Sequence, residues 1–96
     1  MLLKSGVDIS RLERNTRRSL YKVALIFSEA RELFIITSTY EGNHGEGSLH
    51  YANQAYDVRI PDDSKLRIFA QIQAALGENF DVVLERTHFH IEYDPK

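Results

Sequence analysis

The run Phe80-Asp-Val-Val-Leu-Glu85, followed after Arg86-Thr87 by His88-Phe-His-Ile-Glu-Tyr93, decides the fold. Both halves are rich in β-branched and aromatic residues, and only a short turn separates them, which predicts two antiparallel neighbouring strands. Residues two apart on a strand share a face. His88, His90 and Glu92 therefore face one way, and Phe89, Ile91 and Tyr93 the other. The apolar set is expected to enter a core and the polar set to line a cleft, to which the first strand delivers Glu85.

A second segment answers this one. Ser48-Leu-His-Tyr-Ala-Asn-Gln-Ala-Tyr-Asp57 carries His50 and ends on Asp57, which stands in a strand-forming run from Gln54 to Ile60. A carboxylate among apolar neighbours is costly to bury without a cation or strong donors. Three of the chain's four histidines fall in these two segments, beside Asp57 and Glu85. A catalytic zinc takes three protein ligands of N or O type and leaves one position for water. His50, Asp57 and one of His88 and His90 meet that requirement, and the remaining histidine and Glu85 are left to move protons. His44 is expected to be a solvated loop residue.

Composition bounds the rest. A chain of 96 residues is long enough for one core and too short for two, so residues 1–96 are expected to form a single domain. Hydrophobic and charged fractions of 43% and 27% are those of an ordinary globular protein. The net charge of -2 argues against a general nucleic-acid partner. With no cysteine there can be no disulfide or thiolate metal site, so any metal must be held by histidine and carboxylate. The N-terminus lacks the apolar core of a signal peptide, and no stretch approaches a membrane span. Synthesis in the cytoplasm without a signal peptide, no membrane partner and a monomeric state are the resulting expectations.

From the N-terminus, residues 1–9 read as a lead-in, and Ser10-Arg-Leu-Glu13 as a capping box opening a helix to about residue 29 or 31. Leu12, Thr16, Leu20, Val23, Ala24 and Phe27 form its buried stripe. Arginines 11, 14, 17 and 18 make its first half basic, a face expected to be solvated and neutralised by Glu13 and its surroundings. Leu33 to Ser38 is a continuous apolar run and predicts a central strand, and residues 39–47 a loop. Pro61-Asp-Asp-Ser64 caps a second amphipathic helix carrying Ile68, Phe69, Ile72, Ala75 and Leu76 and closed by Gly77. The order helix, strand, strand, helix, strand, strand predicts an α+β layer, with both helices on one face of a small, mostly antiparallel sheet.

Ser48-Leu-His-Tyr through Ala55-Tyr-Asp57 resembles the first metal motif of the zinc D-Ala-D-Ala carboxypeptidases and dipeptidases, phage L-alanyl-D-glutamate endolysins and the hedgehog signalling domain that shares their fold. Phe80 to Glu85 with His88-Phe-His90 resembles their second motif, closest in wording to the hedgehog version. The similarity runs from about Ile35 to Tyr93 and implies a hedgehog/DD-peptidase-like fold. It implies that His50, Asp57 and His90 hold Zn2+, that Glu85 is the general base and that His88 stabilises the transition state. In the dipeptidase and endolysin branches the acid stands three residues before the ligand, a pattern Glu85-Arg-Thr-His88 also fits; His88 is then the alternative third ligand. The implied activity is hydrolysis of a peptide bond in bacterial cell-wall stem peptides, reached after lysis or by another export route.

The sequence departs from that pattern at one place. Peptidases of the family usually carry, shortly before the first motif, an arginine that grips a substrate carboxylate; here Ser38-Thr-Tyr-Glu41 puts Glu41 there. This points away from carboxypeptidase action, towards an endopeptidase or towards a catalytically silent, zinc-stabilised binding module of the hedgehog type.

Overall fold

The computed structural model describes residues 1–39 and 53–95. Among the described residues, five strands form one sheet in the order β1-β2-β3-β5-β4: β1 Leu2–Leu3, β2 Ile35–Ser38, β3 Ala55–Arg59, β4 Phe80–Leu84 and β5 His88–Tyr93. Only β1 and β2 run parallel; the other three pairings are antiparallel. Helices α1, Arg14–Glu29, and α2, Lys65–Leu76, pack on one face, giving the expected α+β layer.

The helical face is built by period-2 alternation in the strands meeting 3.6-period stripes in the helices. Ile36, Tyr56, Val58, Phe89, Ile91 and Val82 meet Leu20, Val23 and Phe27 of α1 and Ile68, Ile72 and Leu76 of α2 in one core. Phe89 is at its centre, with its ring centroid 6.4 Å from Phe27 and 6.0 Å from Phe69. Polar contacts also enter the core: Ser19 Oγ donates to the Thr16 carbonyl at 2.6 Å and lies 2.7 Å from the Tyr56 hydroxyl. The serine has a single proton, so Tyr56 donates to Ser19. Burial raises the Tyr56 phenol well above its usual pKa, with the Ser19 contact working the other way, so it stays neutral.

Several local expectations are corrected. The cap of α1 is Glu13, whose carboxylate accepts from the amides of Asn15 and Thr16 at 2.9 and 3.2 Å, whereas the Ser10 amide donates to Asp8. Leu12 is buried just ahead of the helix, and the Glu13 amide donates to the Asn53 carbonyl at 2.8 Å; these contacts set the helix start later than the sequence pattern. The lead-in is not featureless, because Leu2–Leu3 pairs with β2 as a short edge strand. The run from Leu33 becomes a strand only at Ile35, and it lies inside the sheet, between β1 and β3. Ala75 is exposed, outside the stripe assigned to it, whereas Ala24 is half-buried and packed against the core.

Ser64 occupies the N-cap position of α2 at φ 63°, yet its side chain makes no capping hydrogen bond. A non-glycine residue in the left-handed region costs about 1 kcal/mol, and here no cap offsets it. Ser64→Gly is therefore expected to leave stability unchanged or raise it by up to about 1 kcal/mol in urea unfolding, the reverse of the usual N-cap loss; a loss beyond 1 kcal/mol would show an unrecognised cap. Tyr56→Phe, which removes a buried donor but leaves Ser19 its carbonyl partner, should cost about 1 kcal/mol in the same measurement.

Candidate functional site

On the face away from the helices, the register lines up polar side chains across three strands. Asp57 of β3 is directly opposite His90 of β5, which is opposite Val83 of β4; one step along, Ala55, Glu92 and Asp81 form a second row, and Arg59 faces His88. Directly opposed residues share a face.

Asp57 is the hub. It sits in the middle strand at 8% exposure, and its Oδ1 lies 2.9 Å from His90 Nδ1 and 3.7 Å from His88 Nε2. The other ring nitrogen of His90, Nε2, lies 2.5 Å from Glu92 Oε1. With a carboxylate at each nitrogen, the ring donates twice and is an imidazolium. The hydrogen bond to Asp57 is the main reason its pKa rises from 6.5 to about 9; burial opposes the rise and Glu92 adds to it. His88 is oriented differently, with Nδ1 3.1 Å from the Thr87 hydroxyl. In the tautomer that donates to Thr87, Nε2 offers a lone pair on the Asp57 side.

Glu85 directly follows β4 and closes the β4–β5 hairpin: its amide donates to the His88 carbonyl at 2.9 Å, and its side chain is exposed. The hairpin thus carries Glu85 to the rim of the polar face beside His88. His50, with His44, Glu41 and Glu46, lies outside the described residues. Of the sequence-nominated set, the fold brings Asp57, His88 and His90 together and sets Glu85 at the edge.

Among the described residues, these donors offer a divalent cation two ligands at a time, Asp57 with one imidazole. Zinc bonds of about 2.0 Å at tetrahedral angles put ligand atoms about 3.3 Å apart. The two Asp57–imidazole separations bracket that value. Glu92 holds the far side of His90, and Thr87 the far side of His88, the outer-shell support that metal-binding histidines normally have. The ligand atoms of Asp57, His88 and His90 do not form a group all within 4.8 Å of one another, so Asp57 can share an ion with either imidazole but not with both as they stand. Among the described residues, Asp81, Glu92 and Asp94 do form such a group and could hold a metal ion.

The roles of Glu92 and Thr87 were missed by the sequence reading. Alternation places Glu92 on the face of His90, and that signal was present; the Thr87 contact depends on turn geometry and had none. No protein-family model matches the sequence, and no curated protein matches it significantly. Among the described residues, no helix is long and apolar enough to cross a membrane.

The His90 pKa sets a pH dependence in metal-free protein. The folded value of about 9 exceeds the unfolded 6.5, so the stabilisation is complete below about pH 6.5 and is lost as pH rises through about 9. Chelator-treated wild type should lose on the order of 1–3 kcal/mol relative to His90→Gln between about pH 6 and 9.5 in urea unfolding. Parallel profiles for the two proteins would remove His90 from the network.

Proposed function

We propose that this protein is a zinc-dependent peptidase of bacterial cell-wall stem peptides, in which His50, Asp57 and His90 hold the ion, Glu85 is the general base and His88 faces the developing oxyanion. The observation that carries the reading is the Asp57–His90 pair at 2.9 Å, a carboxylate and an imidazole from adjacent strands with the far side of the imidazole already held by Glu92. The motif resemblance supplies the substrate class and His50. Zinc in such a setting supplies Lewis acidity, which polarises a carbonyl and makes water acidic enough to serve as a nucleophile near neutral pH.

The chain's own groups do the rest. Asp57, almost buried in the middle strand, cannot swing away, and Glu92 fixes the plane of the His90 ring. Glu85 stands exposed where the hairpin meets solvent, a position from which a carboxylate can take a proton from water and return it to a leaving amine. His88, held through Nδ1 by Thr87, presents its other nitrogen beside Asp57; a proton there would stabilise charge building on a carbonyl oxygen. The alternative assignment exchanges the two histidines, making His88 the third ligand; the shorter approach of His90 to Asp57 favours the first.

A second reading, a zinc-stabilised binding module without turnover, is favoured by one observation: Glu85 is exposed and, among the described residues, makes no side-chain hydrogen bond that aims its carboxylate. The two separate in one experiment on purified, zinc-supplemented protein. The peptidase should bind zinc in equimolar amount and release soluble peptides from cell walls in a chelator-sensitive manner. Glu85→Gln should reduce release by about 10²–10⁴-fold while retaining zinc, and Asp57→Ala should lose the metal itself. Full zinc loading without release from any wall type leaves the binding module; no zinc uptake defeats both.

A further inference from the structure

The charge of the chain is unevenly divided. Residues 1–31 hold seven Lys and Arg against three Asp and Glu, and the remainder holds five against eleven. Much of the basic excess is on α1. Arg14, Arg18, Tyr21 and Leu25 follow one another at intervals of four, three and four residues, all exposed, on the side of the helix away from buried Thr16, Leu20, Val23 and Phe27. Arg17 and Lys22 flank them.

The acid expected to neutralise this face is occupied elsewhere: the Glu13 carboxylate caps the helix through Asn15 and Thr16, and this holds its pKa below the usual value despite partial burial. Arg14, Arg18 and Lys22 form no ion pair among the described residues. The stripe also carries apolar surface. Tyr21 is 73% and Leu25 59% exposed, and a small apolar cavity of about 200 Å3 joins Tyr21 to Met1, Ile9 and Ala24.

Cations without ion pairs and exposed apolar side chains on one helical face are the two kinds of group that a membrane interface takes up together. We propose that the outward face of α1 docks on an anionic lipid surface, with Arg14, Arg17, Arg18 and Lys22 against the headgroups and Tyr21 and Leu25 among the upper acyl segments. A phosphate polymer would satisfy the cations and leave Tyr21 and Leu25 in water. An isologous dimer through this face would bring two copies of the same cationic surface together, which is repulsive. Anionic lipid satisfies both kinds of group, and peripheral docking of this kind needs no spanning helix. The inference is independent of the zinc reading, because α1 lies on the opposite side of the sheet from the polar face.

Sedimentation of the full chain with phosphatidylcholine vesicles, with and without phosphatidylglycerol, tests it. Binding is expected only with phosphatidylglycerol and should weaken with salt. Each cation contributes about fivefold, so Arg14→Gln with Arg18→Gln should weaken partitioning roughly 25-fold. Tyr21→Ser with Leu25→Ser should weaken it at least about tenfold at unchanged charge, since both apolar groups are then lost from the interface. All four positions are exposed, so unchanged thermal unfolding checks that the variants fold. Failure of the wild type to sediment with anionic vesicles overturns the proposal. Binding that survives the Tyr21/Leu25 change, and that soluble polyphosphate competes away, overturns it in favour of an anionic polymer.

Discussion

The pairing of β3 with β5 in the register that sets Asp57 opposite His90 governs both faces of this sheet. A slip of one residue would turn every side chain of β3 over, sending Asp57 into the core and Tyr56 into solvent. The core forbids it. Tyr56 is fully buried with its hydroxyl on Ser19, and Val58, Phe89 and Ile91 have no exposed surface. Packing on the helical side therefore fixes the geometry of the polar side. Moving the Asp57–His90 contact would mean dismantling the aromatic cluster around Phe89 beneath it.

How far this was legible in the sequence follows the same division. Alternation is a local property, so Phe89 and Ile91 inward with His88, His90 and Glu92 outward could be read directly. The helical stripes were legible for the same reason, and two helices sharing one face follows from their single apolar sides. Capping is not a local property here: Ser10-Arg-Leu-Glu13 offers two oxygen acceptors, and burial of Leu12, a tertiary effect, selects Glu13. A two-residue strand such as Leu2–Leu3 has no periodicity to detect. For the site, sequence could nominate Asp57 and His90 but could not place them together, because they are 33 residues apart and meet only through strand pairing. The acidic trio of Asp81, Glu92 and Asp94 arises likewise from the pairing of β4 with β5.

The polar network is a poor way to stabilise a fold. Asp57 and Glu92 enclose a single imidazolium, so the trio carries excess negative charge in a partly buried place, with His90 at 19% and Asp57 at 12% side-chain exposure. Networks of this kind recover little beyond their desolvation cost, and apolar residues of similar size would often stabilise the sheet more. Neutral packing would have been the cheaper solution, yet the face keeps one buried carboxylate, two adjacent imidazoles and outer oxygens to hold them. Surplus negative charge around nitrogen donors is the electrostatic environment a divalent cation would complete.

Polarity also divides the molecule through its thickness. The helical layer carries Arg14, Arg18 and Lys22, which form no ion pair among the described residues, whereas the uncovered sheet face carries Asp57, Asp81 and Glu92 beside Arg59. A negatively charged surface would attract the first and repel the second, orienting the chain before any contact is made. Because α1 and the polar face lie on opposite sides of one rigid sheet, docking through the helix would leave Asp57, His88 and His90 directed away from the surface. A peptide substrate could then reach them without competing with lipid for the same residues. The two proposed surfaces are thus geometrically compatible, and the constraint that makes them so is the placement of both helices on a single face.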